Sequence, residues 1–374
     1  MDSCDVLIVG AGPAGSSCAW ALRREGIDAG ILDKRTFPRD KVCGGWITPA
    51  VLEELEITAD EYVSGRVLQP ITGFRTSRIG GSEVLTDYRT TISYGIRRCE
   101  FDDFLLRRSG ARVFKAAPFQ SLARIGDQWL VNGEIKARLI VGAGGHFCPV
   151  ARHLGADARA EFAVAAQETE FEMTASHAAS CEIRPEIPEL FFSSDIKGYG
   201  WCFRKGKFLN VGLGRLDPHG LPQHVSRFVQ FLRESGKLAF DLPKTMTGHA
   251  YLLYRSTKRR MISDGILLVG DAMGLAYSQS GEGIRPAVES GLLAAKAIAA
   301  AGGTYTEDRL EHYRRLMFDR FGKSDSEWSA AIGRRLPDRL VSALAQRLFA
   351  SDWFSRHVIL DRWFLHRNEP ALSF

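Results

Sequence analysis

Gly10, Gly12 and Gly15 follow directly on the short apolar run Val6-Leu7-Ile8-Val9 in the order Val9-Gly10-Ala11-Gly12-Pro13-Ala14-Gly15. A run of this kind reads as a strand buried on both faces. The first glycine permits a tight turn, the second lets backbone approach a diphosphate, and the third lets the following helix pack on the strand. Pro13 leads into that helix, read as Ala14 to Glu25, whose unpaired N–H groups and dipole favour an anion. Asp33 comes 18 residues after Gly15, at the end of Ala29-Gly30-Ile31-Leu32, where its carboxylate can accept from ribose hydroxyls. Lys34 and Arg35 come next, on the adenine side of such a ligand or facing solvent. The chemistry implied is dinucleotide binding, with neither FAD nor NAD selected by this segment alone.

A second set of residues makes that selection. Leu268-Val269-Gly270-Asp271-Ala272 is another strand ending in Gly-Asp, and Ser280-Gly281-Glu282-Gly283-Ile284 is a glycine loop ahead of a helix beginning around Pro286. A helix N-terminus aimed at the isoalloxazine would stabilise the negative charge of reduced flavin. Gly270, Asp271, Gly281, Gly283 and Ile284 therefore join the cofactor set, and the cofactor reads as FAD. No second strand–Gly-x-Gly-x-x-Gly–helix exists for a nicotinamide. Any NAD(P)H binds transiently near the flavin, or another donor serves.

Together these motifs resemble the flavoprotein fold of the para-hydroxybenzoate hydroxylase type, and within it the geranylgeranyl reductase family. The closest segment is Phe37-Pro38-Arg39-Asp40-Lys41-Val42-Cys43-Gly44-Gly45, with Pro49 beyond it. Arg98-Cys99-Glu100-Phe101-Asp102 is similar to the family's Arg-x-x-Phe-Asp, and Tyr199-Gly200-Trp201-Cys202-Phe203 to its Tyr-x-Trp-x-Phe. The resemblance implies that Asp271 holds the ribityl or ribose region, that Arg98 lies near the diphosphate, and that Cys43, Gly44 and Gly45 lie close to the flavin. It implies that Tyr199 and Trp201 line a substrate cavity. The sequence departs from the family where Ile196 and Arg204 replace prolines, and where Gly144-Gly145 replaces an Asp-Gly; Gly144 is retained in the cofactor set.

Three residues are candidates for the reaction itself. Cys43 reads as a small buried hydrophobe or as a group beside the active site. Tyr199 and Trp201, two apart on a strand, share a face and read as cavity wall or as core, with Tyr199 also a proton source. Glu282 reads as a loop-organising acceptor or a catalytic acid, and His146 as structural. The function implied is an FAD-dependent oxidoreductase that reduces carbon–carbon double bonds of an isoprenoid or other hydrophobic substrate by hydride transfer. The alternative is a flavin-dependent monooxygenase or halogenase acting through a flavin hydroperoxide. A halogenase would show a Trp-x-Trp-x-Ile segment, which Tyr199–Phe203 does not match. A non-catalytic electron relay is a third reading, and no iron–sulfur cysteine set supports it.

The elements that must position these residues imply an α/β fold. It comprises a Rossmann-like FAD-binding domain, an inserted antiparallel β-sheet substrate domain and a helical C-terminal tail. The expected boundaries are 1–70, 96–158 and 259–307 for the FAD-binding domain, 71–95 and 159–258 for the substrate domain, and 308–374 for the tail. At 374 residues there is length for two cores, and 45% hydrophobic with 25% charged residues is ordinary for a globular protein. A net charge of +5 suits an anionic cofactor and is too weak to argue for nucleic acid. Seven scattered cysteines with no C-x-x-C predict neither a disulfide framework nor a metal site. No apolar stretch approaches the roughly 20 residues of a membrane-spanning helix. The expected location is cytoplasmic, with the basic, aromatic tail (Trp353, Phe354, Trp363, Phe364) either packed as a cap or in peripheral contact with a membrane surface. The expected partner is a hydrophobic small molecule, and the oligomeric state is not legible.

Overall fold

A computed structural model describes residues 1–114, 116–254, 257–322 and 347–373. The chain divides into two compact units, each discontinuous in sequence.

Unit 1 contains Met1–Asp40, Cys99–Phe162 and the described part of 251–325. At its centre the strand Asp2–Val9 pairs in parallel with Ala29–Leu32 on one side and Ile135–Gly142 on the other. Ile266–Leu268 adds in parallel to Ile135–Gly142. The chain thus leaves Asp2–Val9 toward one sheet edge and later returns to its other side. That reversal opens a crevice at the carboxyl end of Asp2–Val9, where ligands of doubly wound sheets bind. Val6, Leu7, Ile8, Leu139, Ile140, Val141 and Leu267 are fully buried, as the continuous apolar runs require.

The helix Pro13–Arg24 lies against the helix Ile284–Ala300, and the crossing is close. A Cβ on Gly291 would stand 2.3 Å from the Ala14 carbonyl oxygen. Below it Glu289 is fully buried and paired with Arg285 Nε at 2.8 Å and Arg320 Nε at 3.1 Å. Arg320 belongs to the next helix, Glu307–Phe321, so a buried carboxylate joins these two helices.

Unit 2 contains Lys41–Arg98, Ala163–Ala250 and the described part of 326–374. Its main sheet runs Thr247–Tyr251, Val164–Glu172, Phe208–Arg215, Gly198–Lys205, Glu189–Phe192, Gly73–Arg78 and Val84–Asp87. Glu189–Phe192 pairs in parallel with Gly73–Arg78, so the sheet expected to be antiparallel is mixed at that step. One face is apolar. Phe191, Cys202, Leu209, Val211 and Leu213 pack there against Val225, Phe228 and Leu232 of the helix Leu221–Glu234. The other face carries the polar residues described below.

The units divide the chain differently from the sequence reading. Residues 41–70, expected in the FAD-binding domain, lie in unit 2 because Trp46–Ile47 and Leu68–Ile71 both pair with Ser93–Ile96. Residues 251–254 and 257–258 lie in unit 1. The expected tail is not one region. Glu307–Phe321 packs on Ile284–Ala300 in unit 1, whereas Ser355–Phe364 belongs to unit 2, with Ile359, Leu360 and Phe364 buried. Residues 323–346 of that tail lie outside the described residues. Trp353 is 65% exposed. Among the described residues no helix is long and apolar enough to cross a membrane.

Candidate functional site

In unit 1 the first strand ends in a turn that only glycine can make. Gly10 has φ +117°, and a Cβ there would lie 2.4 Å from the Ala143 carbonyl oxygen. Gly15 is tighter still, its Cβ position 1.9 Å from the Gly10 carbonyl oxygen. Gly12 is different. It caps the helix Pro13–Arg24, and among the described residues no side chain caps it in turn and the only atom within 4 Å of its Cβ position is Arg39 Nη2 at 3.7 Å. An uncapped helix N-terminus, a glycine with open space and a guanidinium nearby form a cradle that fits a diphosphate. Arg39 is itself held by the fully buried Asp102 at 3.2 Å.

Asp33 has two backbone partners. Its Oδ2 accepts from Ala11 N and its Oδ1 from Arg35 N, each at 2.8 Å. The carboxylate thus fixes the glycine turn, and each oxygen keeps a lone pair for a ribose hydroxyl. An Asp33→Asn variant loses one of these charge-assisted bonds, because an amide nitrogen cannot accept. FAD affinity is expected to fall about 10- to 100-fold, from a loss of about 1.5–3 kcal/mol, read by fluorescence titration of the apoprotein. Lys34 and Arg35 are exposed.

The second glycine set completes this half. Gly270, at φ +58°, packs against Ala14 and Ala287, and its N–H donates to Ser290 Oγ at 2.9 Å. Asp271 brings Oδ1 to within 3.3 Å of the Cβ position of Gly283, the N-cap of Ile284–Ala300. A carboxylate and a helix N-terminus are thereby placed together. Gly281, at φ +69°, leaves room for the Tyr251 hydroxyl, and Glu282 Oε1 accepts from Arg285 N at 2.8 Å. Glu282 therefore caps the helix. The Gly144 backbone sits under Gly10, since a Cβ on Gly10 would reach Gly144 N at 2.9 Å. Arg259, absent from the sequence reading, has a side chain only 2% exposed that donates to the His146 and Ala272 carbonyls at 2.9 Å while pairing with Glu161. It ties together the loops that follow two central strands.

Unit 2 holds the other candidates. Cys43, Gly44 and Gly45 form a loop over the polar face of the main sheet, gripped by three strands at once. Glu168 Oε1 accepts from Cys43 N at 2.5 Å, and Asn210 Nδ2 donates to the Cys43 carbonyl at 3.2 Å. Lys205 Nζ donates at 3.0 Å to the Gly44 and Ile96 carbonyls and pairs with Glu170. Gly45 has φ +66°, and its carbonyl accepts from Ile96 N at 2.7 Å.

Tyr199 and Trp201 share that face, with ring centroids 6.0 Å apart. Trp201 Nε1 donates to Asn210 Oδ1 at 2.7 Å, and Tyr199 packs on Phe192 and Phe364. Ile196, which stands where the resembled family has proline, has φ +57°. Proline, fixed near −65°, cannot adopt that conformation, so the departure alters the backbone entering the strand as well as the side chain. Arg98 is buried at the head of the helix Arg98–Ser109 and closes the first segment of unit 2.

Two of these acids are shifted in opposite directions from the ordinary carboxylate value. Burial acts to raise the Glu170 carboxyl, but the Lys205 ammonium, with Asn210 and Arg97, outweighs it and holds the group below its ordinary value. For Glu168 burial wins over the Cys43 N–H and Lys205, and the carboxyl is pushed up to about 7.

The description NAD(P)-binding Rossmann-like domain fits residues 8–60. A digeranylgeranylglycerophospholipid reductase of Methanosphaera stadtmanae is 29% identical over 87% of this chain and 85% of its own. A menaquinone reductase of Mycobacterium tuberculosis is also 29% identical, over 90% and 83%. Among solved structures, a geranylgeranyl bacteriochlorophyll reductase-like protein of Thermoplasma acidophilum superposes with a TM-score of 0.78 at 21% identity, covering 98% of both chains. A halogenase in complex with FAD superposes at 0.68 and 17% identity, over 94% of this chain and 78% of its own.

The named reductase relatives, together with the fold and the glycine cradle, mark an FAD-dependent oxidoreductase. Among such enzymes, the chain is geranylgeranyl reductase-like in sequence and in fold.

Proposed function

We propose that this enzyme saturates carbon–carbon double bonds in a polyprenyl or similarly hydrophobic chain. The observation that carries the proposal is that relatives 29% identical over nearly nine-tenths of the chain are named as reductases of isoprenoid lipids. When bound and reduced by NAD(P)H or another two-electron donor, FAD would supply a hydride. The protein's contribution is positional. The Gly12 cradle with Arg39 would hold the diphosphate, Asp33 the adenosine ribose and Asp271 the ribityl side. The Tyr199–Trp201 face would seat the hydrophobic chain and exclude water from it.

Protein reduced under anaerobic conditions is expected to regain its oxidised flavin spectrum when a polyprenyl lipid is added. Reoxidation that requires oxygen and yields a hydroxylated or halogenated product would select the monooxygenase or halogenase instead.

A further inference from the structure

Arg259 belongs to unit 1, as do the glycine cradle and the Asp271 turn. Its guanidinium is shared among three segments. Nη1 donates to the Ala272 carbonyl at 2.9 Å and, at 3.4 Å, to the carbonyl of Asp271. Nη2 donates to the His146 carbonyl at 2.9 Å and lies 3.4 Å from His146 Nδ1. Nε donates to Glu161 Oε1 at 2.6 Å, and Nη2 also pairs with Oε2. The backbone so joined is the turn Gly270–Ala272 after Ile266–Leu268, and the loop that follows Ile135–Gly142. Those strands are parallel neighbours, and their carboxyl ends border the crevice of the doubly wound sheet.

The two segments differ in what else holds them. The loop is fastened to the cradle strand, because Ala143 N donates to the Val9 carbonyl at 2.8 Å. The turn is fastened at its first residue, where Gly270 N donates to Ser290 Oγ, and internally by Gly274 N on the Asp271 carbonyl. Its outer carbonyls face Arg259. A guanidinium is a rigid fork of donors and fixes carbonyl directions as a flexible ammonium cannot. Holding that charge in a side chain 2% exposed costs desolvation, which the Glu161 carboxylate offsets.

We propose that Arg259, held by Glu161, is a positioning residue that pre-forms the flavin half of the cofactor site by setting Asp271 before FAD arrives. The inference rests on the FAD reading and is independent of the substrate. The cradle half has supports of its own: Asp33 accepts from Ala11 N and Arg35 N, and Asp102 holds Arg39. A wall already ordered in the free protein spares the ligand the cost of ordering it, so the clasp is read as affinity. ADP carries the groups for the cradle alone, whereas FAD adds the ribityl chain and the isoalloxazine. Comparing the two ligands separates the two halves of the site.

The test is calorimetric titration of the apoprotein with ADP and with FAD. Arg259→Met, close in length but without donors, should bind ADP as wild type does and FAD about 10- to 100-fold more weakly. FAD should also dissociate faster from it. Arg259→Lys, which keeps the charge and loses the fork, should fall between the two. Glu161→Gln should show the same selective loss to a smaller extent. A merely structural role would weaken both ligands together. FAD affinity in R259M equal to wild type, or parallel losses of ADP and FAD across the variants, overturns the inference and leaves the FAD reading standing. Should R259M yield no folded protein, the FAD-to-ADP ratio in R259K and E161Q decides in the same way. A wild type that binds FAD no more tightly than ADP overturns the FAD reading and the inference with it.

Discussion

Gly15→Val is expected to yield protein without flavin. A Cβ at this position lies 1.9 Å from the Gly10 carbonyl oxygen and 3.1 Å from Ile8 Cγ2. Backbone cannot yield as a flexible side chain can, so the helix Pro13–Arg24 must move off the strand. Its other side is blocked, because Gly291 already brings Ile284–Ala300 against the Ala14 carbonyl. Overpacking of this kind costs about 1–3 kcal/mol and often more, and the movement displaces the N–H groups meant for the diphosphate. Visible absorption of the purified variant should show no bound flavin, with a lowered melting temperature. Gly26→Ala is the control. Gly26 also has a left-handed φ, +71°, but nothing stands within 4 Å of its Cβ position. That change should cost about 1 kcal/mol and keep the flavin. Stoichiometric FAD in Gly15→Val would refute the cradle.

Lys205→Met should have the second large effect, and in unit 2. The ammonium is 1% exposed and has three partners: the Gly44 and Ile96 carbonyls and the Glu170 carboxylate. Methionine fills the space and satisfies none of them. Breaking a buried pair by removing one partner costs about 3–5 kcal/mol. Arg97 remains on Glu170, which places the expected loss at the lower end, about 3 kcal/mol. For a domain of this size that lowers the melting temperature by about 6–12 °C. The pH dependence follows from the lowered Glu170 value. Such a group contributes stability that is present above its unfolded value of 4.5 and is lost as pH falls through the folded one. The gap between wild type and variant should be full at neutral pH and narrow in acid, as the Glu170 part is lost while the two carbonyls stay unsatisfied. A constant gap across that range would mean that packing, and not the ion pair, is lost.

How far each site could be read from the sequence depended on whether its residues are close together in the chain. Gly10, Gly12, Gly15 and Asp33 act within one strand–helix–strand unit, so spacing alone exposes them. Asp271 and Gly283 are legible for the same reason. Glu168, Lys205 and Asn210 are single polar residues in three separate strands. Their meaning arises only when antiparallel pairing sets Glu168 opposite Gly212 and Glu170 opposite Asn210. One local signal existed, the period-two acids Glu168, Glu170 and Glu172 in a strand that ought to be half-buried. Arg39 and Arg259 carry no periodicity and are found only from what surrounds them. The division at residues 41–70 was hidden likewise, because Trp46–Ile47 reaches its partner Ser93–Ile96 across about 50 residues of chain.

The contact between Ala14 and Gly291 also bears on biogenesis. The helix that carries the nucleotide cradle is seated by a helix emerging from the ribosome some 270 residues later. At elongation rates of about 5–20 residues per second, the N-terminal segment spends at least 14 seconds without its packing partner. Meanwhile it exposes a stripe of small residues and an unfinished parallel sheet. Flavin capture is therefore expected to be a late event, following synthesis of nearly the whole chain.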